Sequence, residues 1–270
     1  LKDNGGTPTQ GHVLTVDGNG EAGFAATSEP TFYDTSNRST SIGHNAGNSL
    51  TSNSYDNVLV GAYAGRYLTG GDGERNTLVG YLCGGNIGSY RYNTAMGWET
   101  LKSAQSDHNT AIGYNSSAQV TTGGFNASLG SSSAFSLTSG ASNVALGVAS
   151  LGGVTTGSNN IGIGRRSGYG SNGTGALTTG SNNILIGYQT LPSSATVSNE
   201  VTIGDANITK FRIPGCGGFN IDTSGHVLPG TNNASDLGSS SYRWRNLYTN
   251  DLNLSNEGSK NDVDGTWGNY

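Results

Sequence analysis

The stretch Asn93-Thr-Ala-Met-Gly-Trp-Glu-Thr-Leu101 decides the reading of this chain, because close variants of it recur down the sequence at a nearly fixed interval. Residues 57–65, 76–84, 109–117, 126–134, 143–151, 160–168 and 183–191 repeat the order Asn, β-branched or small, small or apolar, apolar, Gly, and residues 39–47 and 200–208 are weaker copies. The signature glycines are Gly43, Gly61, Gly80, Gly97, Gly113, Gly130, Gly147, Gly164, Gly187 and Gly204, at intervals of 18, 19, 17, 16, 17, 17, 17, 23 and 17 residues. A period near 17 with one long exception marks stacked coils, each repeat being one turn of a solenoid. Chance would not hold Asn at the first position in eight of ten copies.

Each position of the unit carries a separate expectation. The fourth is always Ile, Val, Leu or Met. Positions two and four lie on one face of a strand, which is read as facing the thin core of the coil, with Ile112 inward. The eighth is always small (Ala46, Ala64, Cys83, Thr100, Ser116, Ser133, Ser150, Ser167, Thr190, Asn207), as a returning strand packed closely against the first requires. Glycine at position five lets the chain bend and lets a neighbouring backbone approach where no side chain could. Asn at position one is expected to stack on its counterparts above and below as an amide ladder. Position three alternates between Leu and Ala, and aromatics recur at positions six and seven. Such a face is an apolar patch that association would cover, so several chains around one axis, a homotrimer, are expected.

The expected fold class is all-β: a repetitive parallel β-roll or β-helix (a solenoid), homotrimeric, with small β segments at both ends. Three segments are expected: 1–30, a hairpin or linker; 31–210, the repeat shaft; and 211–270, a β segment preceding a fibre tip. With 45 Gly and 11% charged residues in 270, the chain lies far from an average enzyme, where about a quarter of residues are charged. A net charge of −5 without a basic stripe sets nucleic acid aside as a partner. No apolar run is long enough to cross a bilayer, so membrane insertion is not expected. Cys83 takes a small inward position and reads as a buried free thiol; Cys216 lies beyond the last coil. In the first segment, Gly11-His-Val-Leu-Thr-Val-Asp-Gly-Asn-Gly20 reads as a strand and a hairpin turn. In the last, Trp244, Tyr248, Leu252 and Leu254 are expected on one side of an extended strand. The native product is expected to continue, or to have been cut, near Tyr270.

The Asn-Thr-Ala-Ile-Gly form of residues 109–113 resembles the head repeat of trimeric autotransporter adhesins, and similar repeats occur in phage tail-fibre proteins. The likeness covers about two thirds of the chain. It implies a left-handed parallel β-roll with three chains packed side by side. The period here is longer and less regular than in the adhesins, and neither the coiled-coil stalk nor the membrane anchor of such adhesins is expected from these residues. The segment 236–254 is similar to a short β motif that precedes the tip of many phage fibres and tailspikes. Those features favour a trimeric virion fibre, an extracellular appendage held by tail or capsid proteins and binding a host-surface glycan or protein. The alternatives are a bacterial surface adhesin head and a glycan-degrading tailspike.

The binding candidates are aromatic, since flat rings stack on the C–H faces of sugars. They are Tyr63, Tyr67, Tyr90, Tyr92, Trp98 and Tyr188, joined by Tyr169, Asn172 and Thr174 in the 23-residue interval, which has to bulge from a regular shaft. No catalytic residue, cofactor or metal site is expected. The carboxylates that could pair for glycoside hydrolysis, Asp72 with Glu74 and Glu99 with Asp107, read as solvated turn residues, and the four histidines stand alone.

Overall fold

The computed structural model describes residues 12–16, 22–26, 33–34, 38–69, 71, 73–213, 219–231, 237 and 239–250. The repeats form a parallel β-solenoid: ten three-residue strands, from β4 (Thr40–Ile42) and β5 (Val58–Val60) to β12 (Ile184–Ile186) and β13 (Val201–Ile203), pair in chain order in one sheet. Each position pairs with its own counterpart, Thr94 with Thr110, Ala95 with Ala111 and Met96 with Ile112. At the first coil a short strand β3 (Tyr33–Asp34) closes the sheet by pairing antiparallel with β4. A pair of antiparallel strands, β1 (His12–Val16) and β2 (Ala22–Ala26), precedes it; the expected turn at 17–20 lies outside the described residues.

The inward register is the reverse of the sequence expectation. Position three points into the coil: Leu59, Leu78, Ala95, Ala111, Ala145 and Leu185 are wholly buried. Positions two and four, including Ile112, are half-buried or exposed on the outer face. A one-residue shift of register exchanges the faces of a strand, and here both faces are apolar, so alternation alone could not choose between them. The inward set is completed by position eight, as expected, and by positions nine and twelve. Position twelve, occupied by Leu68, Ile87, Ala104, Val120, Leu137, Val154 and Leu177, recurs seven residues after the signature glycine in the regular coils and lies outside the nine-residue unit read from the sequence.

No strand returns across the core. After the glycine the chain runs through turns. Position seven adopts a left-handed conformation in non-glycine residues, as in Leu82 (φ 50°) and Glu99 (φ 50°). That conformation costs about 1–2 kcal/mol each. It lets the amide point at the preceding coil, where Leu82 N–H donates to the Ala62 carbonyl at 3.0 Å and Glu99 N–H to the Tyr81 carbonyl at 2.9 Å. The turn backbone is thereby satisfied between coils as a sheet would be. Serines at position eight donate to the position-three carbonyl of the next coil, Ser133 to Ala145 at 2.7 Å and Ser150 to Gly162 at 2.8 Å.

The asparagine ladder forms as expected. In the middle of the shaft, Asn143 Oδ1 accepts from the backbone N–H of Asn160 at 2.9 Å and from its Nδ2 at 3.1 Å, and Asn160 Oδ1 does the same for Asn183. Asn160 Nδ2 also donates to the Gly180 carbonyl at 2.9 Å, so its amide bridges two coils and closes its own. The series ends at Glu200, whose N–H donates to Asn183 Oδ1. Its carboxylate accepts from Ser193 N–H and the Thr202 hydroxyl, and these bonds hold it below the usual carboxylate range.

Volume is shared between positions three and nine. Leu59 and Leu78 occur with Gly65 and Gly84, where a Cβ would lie 2.9 Å from Leu59 Cδ2 and 2.6 Å from Leu78 Cδ1. Where position three shrinks to Ala95 or Ala145, position nine becomes Leu101 or Leu151. In the coil of Gly162 and Gly168 both are glycine, and Leu151 and Leu185 of the adjacent coils occupy the space. Leu101→Gly alone should therefore open a cavity costing about 2–5 kcal/mol, and Ala95→Leu alone should overpack by about 1–3 kcal/mol. The double substitution recreates the Leu78/Gly84 pairing and should lie within about 1.5 kcal/mol of the parent in urea unfolding. Additive losses would mean that the two positions do not share one space.

Cys83 is buried as expected, and desolvation pushes its thiol up to about 12, which leaves it unreactive while the coil is closed. Cys216 lies outside the described residues. The chain divides after Asn207 into a second unit. That unit holds a three-stranded antiparallel sheet of β14 (Phe211–Ile213), β15 (Phe219–Ile221) and β16 (Val227–Leu228). Residues 239–250 form no strand, contrary to expectation, and Trp244 and Tyr248 are exposed; Leu252 and Leu254 lie outside the described residues.

Candidate functional site

The outer face of the solenoid sheet carries positions two and four of ten coils. Position four is aliphatic throughout, and Met96 (49% exposed), Leu129 (47%) and Ile163 (38%) meet solvent. No charged residue occupies either position from Thr40 to Ile203. Nine steps of about 4.8 Å make this band roughly 43 Å long. Contiguous apolar surface on that scale is the mark of an association face.

Beside the strand ends, side chains repeat coil by coil and stack in two columns. The residue before position one of each coil forms the first, because every one of them is left-handed, from Arg38 (φ 57°) to Asn199 (φ 64°), and so presents its side chain in the same way. Arg38 holds Asp56 through Nε at 2.7 Å and Nη2 at 2.9 Å. Arg75 contacts Glu74 and donates to the Tyr92 hydroxyl at 2.8 Å. Tyr92, His108 and Phe125 then stack face to face, with ring centroids 4.8 Å apart at both steps. Around this column the charges are matched: Glu74, nearly buried, lies between Arg75 and Arg91, and Asp107 accepts from Arg91 N–H at 2.9 Å. Arg38 likewise holds Asp56 below the usual carboxylate range.

Positions six and seven form the second column. His44 meets Tyr63 edge-on at 5.3 Å, Tyr63 meets Tyr81 at 5.9 Å, and Tyr81 stacks on Trp98 at 4.3 Å. Arg66 lies over both Tyr63, at 5.1 Å from the ring centroid, and Tyr67, at 5.0 Å. Further along, Arg165 lies over Tyr188 and donates to its hydroxyl at 3.3 Å.

The structure thus links Tyr63 to Tyr67 through Arg66 and to Trp98 through Tyr81, and places Tyr92 in the other column, while Tyr188 stands with Arg165 and Tyr90 is half-buried in the turn before Asn93. Tyr81, His44, His108, Phe125 and the arginines were not among the sequence candidates. A signal for most of them lies in the spacing: Arg38, Arg75, His108 and Phe125 stand five residues before a signature glycine, and His44, Tyr81 and Arg165 one residue after it.

The 23-residue interval adds its six extra residues without disturbing register, because Ile161 still pairs with Ile184 and Leu177 returns to the buried position twelve. The insert carries a single 3-10 turn, Ser171–Gly173, which includes Asn172, and an exposed Thr174. Tyr169 is half-buried. A Cβ at Gly152 or Gly153 would lie 3.3 Å from its ring, and one at Gly173 3.6 Å, so the ring wedges the insert against the preceding coil. Of the carboxylates weighed for hydrolysis, Glu99 pairs with Lys102 at 3.0 Å, and Asp72 lies outside the described residues.

No protein-family model, curated protein or solved structure matches this chain.

Proposed function

We propose that the chain is one subunit of a homotrimeric structural fibre, a spike of a phage-like virion that binds a host-surface glycan or protein. The observation that carries this reading is the charge-free face formed by positions two and four, with an aliphatic side chain at position four in all ten coils and Thr, Ala, Val or Ile at position two. An unpaired face of this length favours a partner with the same repeat, because only identical rows about 4.8 Å apart can meet it in register along its whole length. Its freedom from charge suits a buried contact between like surfaces, where identical charges would repel. Three copies related by rotation allow each face to be covered while the columns of aromatic and charged groups stay at the surface. Full burial of each exposed aliphatic side chain contributes about 1.5–3 kcal/mol, so ten coils supply a strong assembly.

On this reading the stacked columns and the inserted loop are the contact surface for host cells, and the segment beyond the solenoid connects to other virion proteins. Light scattering on the purified chain is expected to report a mass three times 27.6 kDa, and the labelled assembly should adhere to some members of a panel of bacterial cells. A folded monomer at micromolar concentration would remove the reason given for the outer face. A trimer that adheres to no cell would leave a structural role without the receptor.

A further inference from the structure

Among the shaft arginines that lie over an aromatic ring, Arg38, Arg75, Arg91 and Arg165 also hold an oxygen acceptor: Asp56, Glu74, Asp107 or the Tyr188 hydroxyl. Arg66 differs. It lies between two tyrosine rings, and no acidic side chain among the described residues pairs with it.

The coil register explains the difference. Arg66 is at position ten, where the coils on either side carry Asn48 and Gly85, so neither neighbour can neutralise it. Within its own coil, position seven lies three residues before it. In the coil of Asn93 that same spacing holds Glu99 and Lys102, paired at 3.0 Å. In the coil of Asn57 a tyrosine stands where the acid would be, so a neutralised pair is replaced by a cation beside a ring. Tyr67 is half exposed, and Gly85 leaves the space toward the next coil without a side chain.

A guanidinium is a planar fork of donors that matches a carboxylate with two parallel hydrogen bonds, and the flanking ring offers a flat surface for the C–H face of a pyranose. We propose that Tyr63, Arg66 and Tyr67 form a binding site for a carboxylate-bearing sugar of an acidic glycan, with the carboxylate on Arg66 and the sugar ring against Tyr67. This rests on the reading that the fibre binds cell surfaces, and it names the class of glycan at one site.

The test uses the full chain, immobilised, with three acidic probes: an oligogalacturonate, a glucuronate-containing disaccharide and sialyllactose. Each is run beside its methyl ester, which keeps the ring and removes the charge. At least one acid is expected to bind, with its ester at least tenfold weaker. Arg66→Gln should abolish that binding, and Arg66→Lys should weaken it about tenfold by losing the fork. Tyr63→Glu, which recreates the Glu99 arrangement and gives Arg66 its own counter-ion, should abolish it as well. Arg243→Gln, at an exposed position beyond the solenoid, should bind as the parent does. Circular dichroism and mass are recorded for every variant, so that lost binding is scored only on folded assemblies. Equal binding of acid and ester, no binding of any acid, or undiminished binding by Arg66→Gln overturns the site. Cell adhesion that survives Arg66→Gln would leave the fibre reading standing while removing this site, whereas loss of all adhesion by the parent would count against both.

Discussion

Ala111→Asp is expected to abolish folding of the solenoid, whereas Ile112→Asp, one residue along the same strand, should leave the coils folded and, on the trimer proposed above, abolish assembly. Ala111 is wholly buried in the coil, paired in register with Ala95 before it and Ser128 after it. None of these offers a cation or several donors to a carboxylate. An unpaired buried charge costs several kcal/mol, a large share of the 5–15 kcal/mol that ordinarily holds a domain folded. Because coils contact only their neighbours, the loss passes to both sides of the stack. Ile112 points out of the same strand onto the half-exposed face, where an isolated chain can hydrate the new carboxylate. In a trimer that face is covered, and identical carboxylates would be brought together around the axis. Circular dichroism with light scattering separates the outcomes. A folded Ala111→Asp beside an unfolded Ile112→Asp would show that the strand faces the other way.

Gly113→Val should be nearly as damaging without introducing any charge. Gly113 has φ +130°, a conformation that a β-branched residue rarely adopts, and a Cβ there would lie 2.5 Å from the carbonyl oxygen of Gly130 in the next coil. Backbone strain of about 1–3 kcal/mol is joined by a contact that only separation of the coils can relieve. A loss of at least about 3 kcal/mol is expected in urea unfolding. Gly85→Ala is the control, since its φ is ordinary and its Cβ would meet nothing nearer than 3.3 Å. Comparable losses at the two positions would mean that glycine content, rather than the inter-coil approach, underlies the effect.

The solenoid, its period and the asparagine ladder were legible in the residues because each coil makes the same demand at the same place. A Cβ at Gly43, Gly61 or Gly80 would run into the backbone of the following coil, so glycine recurs. Asn109, Asn126 and Asn143 each satisfy an amide of the next coil, so asparagine recurs. Position eight stays small for the same kind of reason.

Less of the candidate site could be read. The aromatic residues were visible, but their grouping was not, because residues of different coils meet only after stacking: Tyr92 meets His108, and Tyr63 meets Tyr81. That Arg66 pairs with no acidic side chain among the described residues while Arg75 contacts Glu74 depends on which side chains share a column. The inserted loop was visible as a long interval, yet the placing of Tyr169 as a wedge depended on the bare backbone of Gly152 and Gly153 beneath it.

By itself, then, the sequence determined that the chain is a stack of coils, where each coil bends and which amides join them, since a backbone approach repeated nine times along ten coils permits few residues. Only the tertiary structure decided which face of the strand is inside. A strand such as Val144–Leu146 is apolar on both faces, and local alternation cannot tell a core from an outer surface. The choice belongs to positions nine and twelve, residues such as Leu151 and Val154 that close the coil from the far side and leave room for alanine, and not for leucine, at Ala145.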